Sequence, residues 1–89
     1  MGLVFTKQIS NTTFVLETTD GVSHLSVKNS SASAQNITVV GTLTLNGLAP
    51  AAVTLTQGEI LTLSSDTPLD GVTVTSGSVS ALADLIATQ

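Results

Sequence analysis

The chain has 89 residues and no cysteine, and its net charge is −4 with only 9% charged residues against 42% hydrophobic ones. The basic residues are Lys7 and Lys28 alone, which excludes the basic patch that nucleic acid or an anionic membrane surface requires. Phe5 and Phe14 are the only aromatic residues, so platforms for stacking bases or sugars are lacking. We therefore expect one small domain over residues 1–89, with no nucleic-acid and no membrane partner.

The apolar content exceeds what a domain of this size can bury. A soluble domain has about 25% charged residues, and a small one buries only about 60% of its unfolded surface. No apolar run approaches the roughly 18 residues of a membrane span, and the N-terminus lacks the apolar core of a signal peptide. The surplus apolar surface therefore predicts a homo-oligomer, in which neighbouring copies cover it.

The first third of the chain predicts a strand followed by a hairpin. Residues 3–9 are typical of a first strand or of an extended N-terminal arm. Residues 13–28 predict a hairpin, because Asp20-Gly21 suits the positive φ angles of a type I′ turn. That turn would place Glu17 opposite His24 and gather four apolar side chains on one face: Phe14, Leu16, Leu25 and Val27.

The middle of the chain carries the clearest strand pattern. Residues 36–46 alternate between an apolar parity and a threonine-rich parity, which is typical of a half-buried strand. Gly41 interrupts the apolar parity and indicates a bend or bulge. Residues 29–35 and 46–51 have loop compositions.

Further short strands are predicted at residues 52–56, 60–64 and 72–76. Residues 79–88 fit two patterns, because their apolar residues match helical spacing as well as strand alternation. We favour a strand there, since every earlier element is one. The pattern predicts an all-β fold, a small antiparallel β-sandwich of about 7–8 short strands, either immunoglobulin-like or jelly-roll-like.

Candidate catalytic and metal-binding residues are few. His24, oriented by Glu17, is the only candidate base for a serine hydrolase, but no nucleophile elbow or oxyanion turn accompanies it. Asp66 and Asp70 share one loop, yet they lack the ligand spacing of a calcium loop. We therefore predict no catalytic residue, no metal site and no cofactor.

Several segments resemble known β-modules. Residues 26–39, with the sequence SVKNSSASAQNITV, and residues 53–63, with VTLTQGEILTL, resemble strands of immunoglobulin-like sandwich modules of bacteria and phages. Residues 68–75, PLDGVTVT, together with the low charge and high Thr and Ser content, resemble small phage virion proteins. The resemblance implies a non-enzymatic capsid decoration, fibre-base or tail accessory subunit in the virion. Such a subunit is commonly a homotrimer, docked on other virion proteins such as the major capsid protein.

Surface complementarity would be the mechanism of such a subunit, with unpaired strand edges closed by neighbours. The alternative function is a carbohydrate- or cell-surface-binding adhesin module, secreted or held at the cell surface, for which Asp66 and Asp70 are the only ligand candidates. The interface candidates are the N-terminal apolar residues and the valines outside the predicted core: Leu3, Val4, Phe5, Val15, Val22 and Val40.

Overall fold

The computed structural model describes residues 2–41 and 52–89, which form eight β-strands and one short 3-10 helix, Thr18–Asp20. The strands are β1 (Leu3–Ser10), β2 (Thr13–Leu16), β3 (His24–Asn29), β4 (Ile37–Val40), β5 (Val53–Leu55), β6 (Ile60–Ser64), β7 (Val72–Ser76) and β8 (Leu82–Thr88). They build two antiparallel four-stranded sheets. The predicted small all-β antiparallel sandwich is confirmed.

The strand order within the sheets is that of a jelly roll. Sheet A has the order β1-β8-β3-β6, and sheet B has the order β2-β7-β4-β5. The pairs β1 with β8, β2 with β7, β3 with β6 and β4 with β5 are nested, as in one long hairpin. Two further pairs, β3 with β8 and β4 with β7, wrap that hairpin into two sheets. Of the two predicted alternatives, the structure has the jelly-roll order.

Alternating side chains from both sheets form one core. In β3 and β8 the inward residues are Leu25, Val27 and Leu85, and in β4 and β7 they include Ile37 and Val74, all at most 1% exposed. Each of these strands is a period-two pattern of which one parity is buried. The remaining buried apolar residues are Ile9, Leu16, Val22, Val39, Leu55, Leu69, Val72, Ala81, Ala83 and Ala87.

The predicted hairpin over residues 13–28 is wrong. β2 pairs with β7 in sheet B, whereas β3 pairs with β6 and β8 in sheet A, so the chain changes sheets between them. The Asp20 carboxylate accepts the Glu17 N–H at 2.8 Å, and Gly21 follows with φ of 69°. The Asp-Gly pair therefore closes a 3-10 turn at a corner of the sandwich, and Glu17 does not lie opposite His24.

Val22 was predicted as an interface residue, and this prediction is wrong because its side chain is fully buried. The residue follows the corner directly, and its carbonyl accepts the Leu69 N–H at 2.7 Å. Leu69 is itself 0% exposed and belongs to the same core. Once β2 and β3 occupy different sheets, the segment between them crosses the end of the core, which places Val22 inside it.

Both ends of the chain form strands. Residues 3–9 belong to β1, which pairs with β8, so the first-strand alternative is confirmed over the extended arm. The strand favoured in residues 79–88 is confirmed as β8, with Ala83, Leu85 and Ala87 facing inward. β4 ends at Val40, directly before Gly41, and the predicted continuation to residue 46 and the loop over 46–51 lie outside the described residues.

Candidate docking face

The outer surface of sheet B carries a regular array of threonine and valine, which we call the neutral face. The strand registers set Thr13 beside Thr75, Thr75 beside Thr38, and Thr38 beside Thr54. One row of threonine therefore crosses all strands of the sheet. A second row places Thr73 between the valines of two strands. The members of the neutral face are Thr13, Val15, Thr38, Val40, Thr54, Thr73 and Thr75.

Strand alternation creates this array. In β2, β4 and β7, the residues between the outward positions turn inward to the core, for example Phe14, Val39 and Val74. Neighbouring strands lie about 4.8 Å apart, so the threonine row spans about 14 Å. The Thr13 hydroxyl donates to the Thr75 hydroxyl at 3.5 Å. Because threonine is β-branched, each side chain of the row is restricted at χ1. The side chains of the row therefore keep the even spacing of the strands.

Two of the predicted interface residues meet on the neutral face. Val15 is 48% exposed and Val40 is 43% exposed, and they flank Thr73 on opposite sides. Their exposure agrees with the position outside the core that the sequence predicts, while their role in an interface stays a prediction. The threonines beside them were not among the predicted interface residues. The pattern Thr-x-Val in β2 and β4, and Thr-x-Thr in β7, nevertheless marks the outward positions of these strands.

Charge is absent from the neutral face. All eight charged residues of the chain lie within the described residues, and none of them belongs to this surface. The charges on strands belong to sheet A, namely Lys7, Lys28 and Asp84, and the others lie in turns and corners: Glu17, Asp20, Glu59, Asp66 and Asp70. The chain is acidic overall, whereas the neutral face presents no carboxylate.

The outer surface of sheet A differs in chemistry. Lys28 lies beside Asp84, whose carboxylate accepts the Gln8 Nε2–H at 2.8 Å. Ile86, 50% exposed, occupies the middle of this surface beside Ser26. Mixed charged, polar and apolar side chains make sheet A the surface that water solvates more favourably.

The remaining predicted interface residues lie at the N-terminal edge of sheet A. Val4 and Phe5 are half-buried against the core, and the Phe5 ring meets the Phe14 ring edge-on with centroids 5.6 Å apart. Lys7 Nζ lies 5.4 Å from the centroid of Phe14. Leu3 is 66% exposed. The structure thus uses Phe5 within its own fold and leaves Leu3 as the exposed member of this group.

The candidate catalytic and metal-binding residues are not brought together. His24 lies on the outer surface of sheet A between Thr88 and Ser64, and Glu17 lies at the corner after β2. The Asp70 carboxylate accepts the Thr18 N–H at 3.1 Å, which ties it to that corner. Over residues 2–41 and 52–89, no three His, Cys, Asp or Glu residues are grouped so that they can hold a metal ion.

One depression on the described surface lies over β1 and β8. It is open, has a volume of about 340 Å³ and is lined by residues 6–8 and 84–86. Small-molecule sites are usually concave enough to enclose most of the ligand, which an open depression does not do.

Within the described part of the chain, no helix has the length and apolar character to cross a membrane.

The pKa of Glu59 is lowered by hydrogen bonds within a turn. This residue lies in the turn between β5 and β6, and its carboxylate accepts the Thr56 N–H and the Thr56 hydroxyl, both at 2.7 Å. These two bonds, the backbone one first, lower the pKa of Glu59, while burial acts weakly in the opposite direction. Because the carboxylate caps its own turn, this shift indicates a structural role rather than a catalytic one.

Comparison with known proteins gives no relative: no family model, no curated protein and no solved structure matches the chain.

Proposed function

We propose that the protein is a non-enzymatic structural subunit of a bacteriophage virion, a homo-oligomer whose copies pack through the neutral face. The observation that carries this proposal is the neutral face itself. It is an uncharged surface on an acidic chain, and it includes two exposed valines. A trimer docked on other virion proteins, such as the major capsid protein, is the assembly that we favour.

The physical support is the low free-energy cost of removing water from this surface. Burying a charged group is expensive unless a partner compensates it, and the neutral face holds no charged group. Threonine hydroxyls both donate and accept hydrogen bonds, so they can be paired across an interface without fixed complementary charges. Two acidic copies that approach through this face also keep their carboxylates apart.

The fold supports the same proposal by analogy. Jelly rolls build viral capsid domains and also lectin domains, so fold alone does not choose between an assembly subunit and a carbohydrate-binding module. Lectin-like recognition needs aromatic or calcium contacts, whereas the neutral face offers threonine and valine. The virion role therefore fits the surface chemistry better.

Solution mass, measured by light scattering after size exclusion, tests the proposed interface. Val40→Asp places a carboxylate on the neutral face, and we expect it to abolish association through that face and so to lower the solution mass below that of the wild-type oligomer. Ile86→Asp is the matched control, since Ile86 is a similarly exposed β-branched residue on the outer surface of sheet A. A wild-type monomer, or dissociation by Ile86→Asp alone, would contradict the proposed interface.

The virion assignment needs a separate test. Phage particles purified from cells that encode the chain should contain it, at a copy number that peptide mass spectrometry measures against the major capsid protein. Its absence from intact particles, with the oligomer present in solution, would contradict the virion assignment and leave the interface standing.

A further inference from the structure

We propose that β6 is a strand-addition edge that pairs antiparallel with β6 of a second copy about a two-fold axis, with Thr62 opposite the same residue of that copy. This contact would join two four-stranded sheets into one continuous eight-stranded sheet. It lies on sheet A, away from the neutral face of sheet B, and it goes beyond the virion role because it does not depend on that assignment.

β6 is the least protected edge strand. Within the described residues the sheets end in β1, β6, β2 and β5. β1 has a register shift between Leu3 and Phe5 and carries Lys7, and both features discourage pairing with another chain. β2 has 4 residues and β5 has 3. β6 has 5 residues, ILTLS, without charge, proline or register shift, so it lacks the usual protection of an edge.

The backbone of β6 presents its free groups at alternate residues. The Asn29 N–H donates to the Glu59 carbonyl, and the Ser65 N–H donates to the Ser23 carbonyl, both at 2.9 Å. In this antiparallel register, odd-numbered residues of β6 therefore bond to β3. The even-numbered residues direct their N–H and C=O groups away from β3: Ile60, Thr62 and Ser64.

A two-fold axis at Thr62 pairs every one of these outward groups. Ile60 then lies opposite Ser64 of the second copy, and Thr62 lies opposite itself. Each such antiparallel pair exchanges two hydrogen bonds, so the contact contains about six. Shifting the register by two residues leaves one of the three outward residues without a partner. The symmetric register is therefore the one that satisfies all of them.

The side chains agree with the same register. Leu61 and Leu63 point toward the core but remain only half-buried, because no strand of the described chain lies beyond them. In the symmetric pair, Leu61 faces Leu63 of the second copy, which covers both. Ile60, 60% exposed, also gains a neighbour. The carboxylate of Glu59 would lie opposite Ser65 rather than opposite another acid, so like charges do not face each other.

Because the chain has no cysteine, single-cysteine variants test this geometry cleanly. In Thr62→Cys, two thiols of a pair would lie across a hydrogen-bonded position, with Cα atoms about 5.5 Å apart. A short bifunctional thiol reagent should therefore link most of the protein into covalent dimers at low protein concentration. Ser26→Cys is the matched control, since Ser26 lies on the same outer surface but in the interior strand β3. Equal yields of dimer for the two variants would overturn the proposal.

Charge at the two-fold axis gives a second measurement. In Thr62→Lys each lysine would oppose its own copy, and we expect the dissociation constant of the β6 contact to rise at least about tenfold. Thr62→Val, which keeps the backbone N–H and the strand preference, should leave the constant unchanged. Equal dissociation constants for wild type and Thr62→Lys would contradict β6 pairing. In the Val40→Asp variant the Thr62→Cys cross-link should persist, which separates failure of the neutral face from failure of β6.

Discussion

Asn29 is a buried polar residue that ties the two sheets together. It ends β3 of sheet A, and its side-chain amide donates to the carbonyls of Gln35 and Leu55, each at 2.8 Å. Its side-chain oxygen accepts the Ser31 N–H at 3.1 Å. Because Leu55 belongs to β5 of sheet B, one side chain joins the end of a strand in one sheet, the other sheet and the loop that follows the first strand. A buried amide of this kind is stabilising only while all of its partners are present.

We expect Asn29→Ala to lower the free energy of unfolding by about 3 kcal/mol, since it leaves two carbonyls and one N–H without their partner. Urea unfolding at one fixed protein concentration measures the change, because assembly contributes to apparent stability. Asn36→Ala is the control, as Asn36 is exposed, and it should change the value by less than about 0.5 kcal/mol. Equal effects of the two substitutions would show that Asn29 does not join the sheets.

The role of Asn29 illustrates what single residues reveal before a structure is known. The sequence predicts it as the first residue of a polar loop, whereas the structure has it as the last residue of β3, and nothing local distinguishes it from Asn36. Its partner Leu55 lies 26 residues away and in the other sheet. Hydrogen bonds between the two sheets of a sandwich depend on the strand topology. The amino-acid pattern around one residue does not reveal that topology.

At the scale of elements, the corner after β2 depends on the conformation of Gly21. Its φ of 69° lies in the left-handed region, and no atom within 4 Å would meet an added Cβ. Any other residue at this position therefore costs free energy through its strained backbone conformation rather than through a steric clash. The Thr18 carbonyl accepts the Gly21 N–H at 3.1 Å, which closes the 3-10 turn and redirects the chain from sheet B to sheet A.

Gly21→Ala should therefore lower the free energy of unfolding by about 1 kcal/mol, the usual penalty for a Cβ in the left-handed region. Gly77→Ala is a matched control, because an added Cβ there also meets no atom within 4 Å and φ is outside the positive region. The control should be neutral or slightly stabilising. Thermal unfolding of the two variants compares them directly, and a neutral Gly21→Ala would show that the corner relaxes to another conformation.

The same corner explains the error in the predicted hairpin. An Asp-Gly pair between two alternating apolar runs is the strongest short-range hairpin signal, and it also closes a 3-10 corner. Both β2 and β3 present one apolar parity, which fits an inner face of either sheet. Strand positions are therefore readable from alternation, whereas strand partners are decided by which distant strands cover each edge.

At the scale of the whole molecule, nested pairing accounts for what the sequence predicts and what it leaves open. β1 pairs with β8 and β2 pairs with β7, so strands that lie side by side in the fold come from opposite ends of the chain. Local patterns predict the all-β class and nearly every strand. The jelly-roll order, and the threonine row that it assembles from four distant segments, come only from those long-range pairs.

The proposed assembly has a dependence on salt that follows from where the charges lie. Its neutral face contains no ion pair to screen, whereas the net charge of −4 makes the copies repel one another. Salt shortens the range of that repulsion, with a Debye length of about 10 Å at 0.1 M. Raising the salt from about 0.05 M to about 0.5 M should therefore leave the oligomer unchanged or strengthen it.

Light scattering over a dilution series at each salt concentration measures this dependence. Dissociation at high salt would indicate an interface held by charged groups, such as Lys28 and Asp84 on sheet A, and would contradict the neutral face as the contact. Val40→Asp provides the internal comparison. In that variant the repulsion lies at the interface itself, so added salt should restore part of the lost association. The pair of responses separates long-range repulsion between copies from a charge buried at their contact.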